Sequence, residues 1–324
     1  MAEGGVQLVS LDDIRLAAGR IRALVHRTPL IEVAAPAEGS SSGDPIRLML
    51  KCECFQPGGA FKIRGACNMI AQLPPEARAA GVITYSSGNH GRAVALVAES
   101  FGAPAVIVMP ETTPRVKVEG VRRHGAEVVF AGVTSTDRRI CAEELARRRG
   151  LTIVPPFDHP WIIAGQGTTG LEILEQHSQV RTIYVPVGGG GQIAGVSAAV
   201  KRMRASVRVI GVEPVRAARM SASKAAGHPV TLESTASIAD GLLTLRPGDL
   251  TFAHVQAFVD DIVTVDDEEI AAGVKWLFHE ARIVAEPSGA AAVAAARRAL
   301  EPDTVAVVSG GNVDPDAFAS YIRL

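Results

Sequence analysis

Aromatic residues are scarce in this 324-residue chain, at 4%, although hydrophobic residues make up 47%. A core must then be assembled from Ala, Val, Ile and Leu, the side chains of helices packed on buried parallel strands. An excess of one charge is missing too, since 33 basic and 34 acidic residues leave a net charge of −1. Such a chain has no strong field to recruit nucleic acid or an anionic membrane, and neither is expected as a partner. Four cysteines, Cys52, Cys54, Cys67 and Cys141, are too few for a disulfide framework and lack the spacing of a zinc site, so reduced thiols are expected. No apolar run is long enough to span a bilayer, and the N-terminal MAEGGVQLVSLDDIRLAAGRI lacks a basic-then-apolar signal architecture. A cytoplasmic location is expected.

At this length the chain exceeds a usual domain of roughly 100–200 residues, so two lobes or one large α/β unit are expected. Ser10, followed by Asp12 and Asp13, reads as a capped helix start, with Ile14, Leu16, Ile21 and Leu24 on one face to about His26. Segment 36–45 is rich in turn formers and precedes a short strand at 46–51. From Gly81 a strand–loop–helix rhythm sets in. VITY (82–85) precedes a helix from about His90 to Phe101, AVIVM (105–109) one from about Pro114 to His124, and EVVFAG (127–132) one near 136–149. TIYVPV (182–187) and VRVIGVEP (207–214) repeat the strand-then-turn pattern. Alternation of this kind gives parallel strands joined by right-handed crossovers. The expected fold is α/β, with two open, twisted, mainly parallel sheets flanked by helices.

Four segments could carry chemistry, and open α/β sheets bind ligands beyond the carboxyl ends of their strands. In KCECFQPGGAFKIRGA (51–66), Lys62 follows a Pro-Gly-Gly turn inside a small, apolar stretch. Burial there lowers an amine's pKa toward what a Schiff-base lysine needs; the plain alternative is a surface lysine at a helix start. In SSGNHG (86–91), Ser86, Ser87, Asn89 and His90 stand at a strand-to-helix turn, which suits either a substrate carboxylate or an ordinary helix cap. Gly188, Gly189, Gly190 and Gly191 follow TIYVPV directly and can wrap a phosphate with backbone amides. No lysine completes a nucleoside-triphosphate loop there, and Glu213 comes late for the ribose contact of a dinucleotide fold, which leaves a small phosphorylated cofactor. VVSGGNVD (307–314) ends a buried strand in Ser309 and two glycines and says little alone.

Taken in order, KCE…F…GxFKxRGA, SSGNHG, IAGQGT (163–168), the glycine tetrad, GVEP (211–214), ADG (239–241), EPSGA (286–290) and SGGNVD (309–314) resemble one family across nearly the whole chain. It is the serine/threonine dehydratase and serine racemase family of pyridoxal-phosphate (PLP) enzymes, of tryptophan-synthase-β-like fold. The resemblance implies a homodimer with PLP in a cleft between a large lobe (residues 1–79 and 159–324) and a small inserted lobe (80–158). It implies that Lys62 takes the cofactor aldehyde and then acts as base at the substrate Cα. Phe61 would pack beside the cofactor, Asn89 would meet its 3′-oxygen, the glycine tetrad its phosphate, and Ser309 its pyridine nitrogen. Ser86, Ser87, Asn89 and His90 would shape the carboxylate site. A hydroxyl at the ring nitrogen does not keep it protonated as an aspartate would, which favours elimination of a β-leaving group over transamination.

The implied reaction is α,β-elimination from a small β-hydroxy amino acid of the L-serine or L-threonine type, releasing ammonia and a 2-keto acid. The alternatives are a serine-type racemase with Lys62 and Ser87 as opposed bases, a dehydratase for 3-hydroxyaspartate, and a PLP-binding protein without turnover. The last would be favoured by a replaced lysine or broken tetrad, and neither is seen. Three departures from the family pattern stand out. Pro57-Gly58-Gly59-Ala60 lacks the small hydroxyl common before the Phe-Lys pair, and Gln192 replaces an apolar residue after the tetrad. Relatives resembling serine racemase bind a divalent cation through the Glu of GVEP and an Asp six positions on, where this chain has Glu213 and Arg219. No metal is therefore expected, with Glu213 the one retained candidate ligand, and Arg219 either pairs with it or points to solvent. SGGNVD ends close to Leu324, so no fused C-terminal effector domain is expected.

Overall fold

A computed structural model of the chain describes residues 6–35, 46–86, 88–113 and 115–323. The turn-rich segment 36–45, Ser87 and Pro114, the expected start of one helix, lie outside the described residues. The strands in chain order are β1 (Leu30–Ala35), β2 (Ile46–Cys52), β3 (Val82–Thr84), β4 (Ala105–Met109), β5 (Glu127–Phe130), β6 (Thr152–Ile153), β7 (Thr182–Pro186), β8 (Arg208–Pro214), β9 (Asp261–Val265) and β10 (Thr304–Val308). They form a six-stranded sheet, ordered β1-β2-β10-β7-β8-β9, and a four-stranded sheet, ordered β5-β4-β3-β6. β1 and β2 are antiparallel, and the other pairs are parallel. Every residue of β4, β7 and β10 is buried, which accounts for their unbroken apolar runs.

The helices are α1 (Leu11–Ile21), α2 (Lys62–Ala71), α3 (Pro75–Ala80), α4 (Asn89–Ser100), α5 (Arg115–Arg122), α6 (Ser135–Arg149), α7 (Pro160–Gln176), α8 (Gly191–Met203), α9 (Arg219–Ala226), α10 (Asp249–Phe258), α11 (Asp267–Ala281), α12 (Pro287–Arg298) and α13 (Pro315–Arg323). Local chemistry sets several of their ends. Ser10 accepts from the Asp13 amide while Asp13 accepts from the Ser10 amide, a capping box that starts α1 as its sequence suggests. Thr134 and Asp137 do the same for α6, which Gly150 closes in the left-handed region at φ 67°. No helix among the described residues is long and apolar enough to cross a membrane.

Both faces of the large sheet are covered. The Ala-rich α12 is buried from Pro287 to Ala296 and packs with α11 in one core cluster, while Ile193, Val196 and Val200 of α8 join Ile183 and Val185 of β7 and Val307 of β10 in another. Each fully buried Val or Ile contributes on the order of 1.5–3 kcal/mol. Helices α7 and α8 cross closely because Gly195 has no Cβ, and a Cβ there would lie 2.3 Å from the Ile163 carbonyl oxygen. In the small sheet, α2 and α4 pack on one face and α6 on the other. Strand β10 inserted beside β2 places the C-terminal SGGNVD against the Pro-Gly-Gly turn: Phe61 N–H donates to Ser309 O at 3.0 Å and Gly311 N–H to Gly59 O at 2.9 Å. Residues separated by most of the chain thus meet at the carboxyl ends of the strands.

Candidate active site

Lys62 is the first residue of α2, and part of its side chain remains open. Its ammonium donates to the Pro156 carbonyl at 2.8 Å and lies 5.1 Å from the Phe61 ring centroid. Among the described residues no carboxylate pairs with it. Burial, with no opposing charge to offset it, pushes the amine down to about 8. At pH 7 about a tenth of such an amine is neutral and nucleophilic.

A second lysine nearby in sequence has the opposite surroundings. Lys51, on β2, is fully buried and bonds Glu172 Oε2 at 2.6 Å, Gln176 Oε1 at 2.8 Å and the Thr28 carbonyl at 2.9 Å. Arg64, which follows Lys62 closely on α2, reaches Glu53 at 2.6 and 2.8 Å and Glu172 at 2.7 and 2.8 Å. Two cations and two carboxylates therefore neutralise one another and tie β2, α2 and α7 together behind the site.

The glycine tetrad enters α8, whose first intrahelical bond runs from Ala194 N to Gly190 O. The amides of Gly191, Gln192 and Ile193 precede that bond and have no intrahelical acceptor, the donor set an anion takes. Gly190 has φ 97°, and a Cβ on Gly189 would lie 2.3 Å from the Phe157 ring. The loop therefore tolerates only glycine at both positions. Both side-chain polar atoms of Gln192 are buried without a partner, so the site has unused hydrogen-bonding capacity beside the amides. These features fit a phosphorylated cofactor: a glycine cradle and free amides for the phosphate, joined through Pro156 and Phe157 to a reactive amine.

Of the SSGNHG turn, Ser86 is half-buried and Asn89 begins α4. Asn89 donates to Glu286 at 2.5 Å and accepts from Asn312 at 2.8 Å. Burial first, then the Asp240 charge, raises the Glu286 carboxyl to about 8, against the pull of its Asn89 bond and of Lys117. The His90 ring faces away from this group: it is buried, with Nε2 3.0 Å from Val154 O. Burial and the Lys62 charge depress it to about 3, so the ring is neutral, and its Nδ1 is buried without a partner. Ser309 is buried, its hydroxyl 3.4 Å from the Ser288 carbonyl. Ser87 has no described position.

Arg219 does not point to solvent. It is fully buried, with Nη1 3.5 Å from Glu213 Oε1. Its guanidinium donates to Gly188 O at 3.1 and 2.6 Å and also to the carbonyls of Val187 and Ala217. Glu213 in turn accepts from the amides of Met220 and Ser221 and from the Ser221 hydroxyl, each at 2.9 Å. A divalent cation does not fit this oxygen cluster, because a guanidinium already lies among the carbonyls and would repel it.

Pro156, Phe157, Glu286 and Asn312 took no role in the sequence reading. The Pro155-Pro156 pair between a strand and α7 was a visible signal for a fixed turn, and EPSGA and SGGNVD already marked the other two.

An α/β chain that joins a desolvated, unpaired lysine to a glycine-built helix N-terminus is an enzyme of the kind that uses a phosphorylated carbonyl cofactor. Residues 21–311 match the family described as pyridoxal-phosphate dependent enzyme, and the chain belongs to that family. It is 42% identical to an L-threonine ammonia-lyase of Thermotoga maritima over 98% of this chain and 79% of that protein. It is also 42% identical to a serine racemase of Oryza sativa subsp. indica, over 97% of this chain and 94% of that protein. The structure of maize serine racemase superposes with a TM-score of 0.90 at 39% identity, covering 98% of each chain. The fold and the PLP dependence expected from the motifs stand.

Proposed function

We propose that this PLP enzyme is an ammonia-lyase that eliminates water from a small β-hydroxy amino acid of the L-serine or L-threonine type, the resulting enamine then taking up water as it hydrolyses to a 2-keto acid and ammonia. The observation that carries the reading is the buried Lys62 amine, held by one neutral carbonyl and, among the described residues, by no carboxylate. Lys62 would hold the cofactor through its aldehyde, and its amine would serve as the base at the substrate Cα. Bound PLP supplies the sink for the electron pair left at Cα. Gly188 to Gly191 would hold the phosphate, Phe61 would pack beside the ring, and the Asn89 amide, oriented by Glu286 and Asn312, would meet the 3′-oxygen. Ser309 would offer a hydroxyl rather than a carboxylate at the ring nitrogen, which would favour loss of the β-substituent. Ser86, Ser87, Asn89 and His90 would receive the substrate carboxylate.

The two-sheet topology, with the small sheet between Val82 and Ile153, supports a small lobe of residues 80–158 inserted in a large lobe of 1–79 and 159–324. Four free cysteines support a cytoplasmic site of action, and a homodimer belongs to the same reading. Keto-acid release from L-serine, L-threonine and 3-hydroxyaspartate tests it; no release from any of the three contradicts it.

Racemisation is the second reading, favoured by equal identity to a protein named serine racemase. Ser87 would then reprotonate Cα on the face opposite Lys62. Chiral analysis of L-serine incubations checks this, and a D-serine yield unchanged by Ser87→Ala places the second base elsewhere.

A further inference from the structure

The peptide that enters the glycine tetrad is fastened by the fully buried side chain of Arg219. Arg219, the first residue of α9, directs its guanidinium at three main-chain carbonyls: Val187 and Gly188 at the end of β7, and Ala217 in the turn after β8. Glu213, on β8, closes the group at 3.5 Å. Four oxygens from two adjacent strands and the following turn thus converge on one fully buried cation.

The arrangement has a direct consequence for the tetrad. The Gly188 carbonyl takes two bonds from Arg219, and the Gly189 carbonyl takes the Thr251 hydroxyl at 2.7 Å. With both oxygens engaged by these donors, the chain turns through the left-handed Gly190 into the amides that start α8. A carbonyl that swung back would place its negative end against a bound phosphate. Guanidinium suits the task because its planar donors satisfy several oxygens at once and its charge is permanent.

We propose that Arg219 is a built-in cation that holds the glycine tetrad in its phosphate-accepting shape, so that this chain retains PLP without a divalent cation. Arg219 is a positioning residue here, acting through Gly188. The inference rests on the reading that the tetrad holds the cofactor phosphate.

The test uses purified holoenzyme dialysed against EDTA, then returned to buffer with Mg²⁺ or Ca²⁺, together with Arg219→Lys and Arg219→Ala. PLP affinity is measured by cofactor absorbance well below the unfolding temperature, with kcat read at saturating PLP. The unmutated enzyme is expected to keep its PLP affinity and kcat in EDTA, with no gain from either ion. R219K, which keeps the charge and loses the planar fork, is expected to bind PLP about 10- to 100-fold more weakly, the size of one or two charge-assisted bonds. Its kcat at saturating PLP should return to within about threefold of the parent, since the chemistry of Lys62 is untouched. R219A should be weaker still; if it does not fold, R219K and the chelator series decide the matter. Loss of PLP from the unmutated enzyme in EDTA, restored by Mg²⁺ or Ca²⁺, overturns the proposal. So does unchanged PLP affinity in R219K, which would reduce Arg219 to core packing. An unmutated protein that binds PLP while Gly189→Ala binds it equally well would instead remove the phosphate reading of the tetrad.

Discussion

Lys51 and Lys62 are eleven positions apart, and both have side chains drawn into the protein, yet their surroundings send them to different ends. Lys51 is enclosed by Glu172, Gln176 and the Thr28 carbonyl, with Glu53 and Arg64 completing a neutral cluster. Burial lowers its pKa while the Glu53 and Glu172 charges raise it again. Among the described residues Lys62 has one neutral acceptor and no opposing charge to resist desolvation. A buried lysine with carboxylates is a structural cation; one without them is a nucleophile near neutrality.

The largest expected effect comes from Lys62→Ala, which should lower turnover at least about 10⁴-fold and abolish the visible absorbance of bound cofactor. Steady-state assay and an absorbance spectrum check both. Glu172→Gln attacks the other lysine. It leaves Lys51 and Arg64 undercompensated in the core and should destabilise the fold by roughly 3–5 kcal/mol, read by urea unfolding, with kcat within about threefold at saturating PLP.

The sequence made these two lysines unequal for reasons that can be stated. Lys62 is legible because its signals are local: a Pro-Gly-Gly turn before it and small apolar residues around it. The tetrad stands out in the same way, as four glycines between a buried strand and a helix, a pattern suited to binding an anion. Lys51 showed nothing, because its partners Glu172 and Gln176 lie more than a hundred residues away. For the same reason Arg219 admitted two readings until its burial was known, and the Asn89–Glu286 contact could not be foreseen from either motif. Strands β1 and β9 also went unread. β1 follows Pro29 directly and gains its partner only through antiparallel register with β2, while β9 is a short edge strand on β8.

A smaller effect concerns the apo protein. Lys62 titrates at about 8 in the fold against an ordinary 10.5, so the unfolded chain binds more protons between those values. Apo stability should therefore rise as pH increases from about 8 to 10.5. Lys62→Met should remove that rise and stabilise the apo protein at pH 7 by at most about 3 kcal/mol, measured as a shift in thermal unfolding. A second pH effect has the opposite sign. Glu286 is raised from 4.5 to about 8, so the fold binds the extra proton and stability falls as pH climbs through that interval. Glu286→Gln should flatten this part of the profile in denaturant titrations at a series of pH values, whereas an unchanged slope would place its source elsewhere.

The difference between the two lysines is tested most directly by covalent trapping. Holoenzyme reduced with borohydride and digested should show the pyridoxyl group on the peptide containing Lys62 and none on the peptide containing Lys51, by mass spectrometry. A label on Lys51, or on another lysine with Lys62 unmodified, would contradict the assignment of Lys62 as the cofactor lysine.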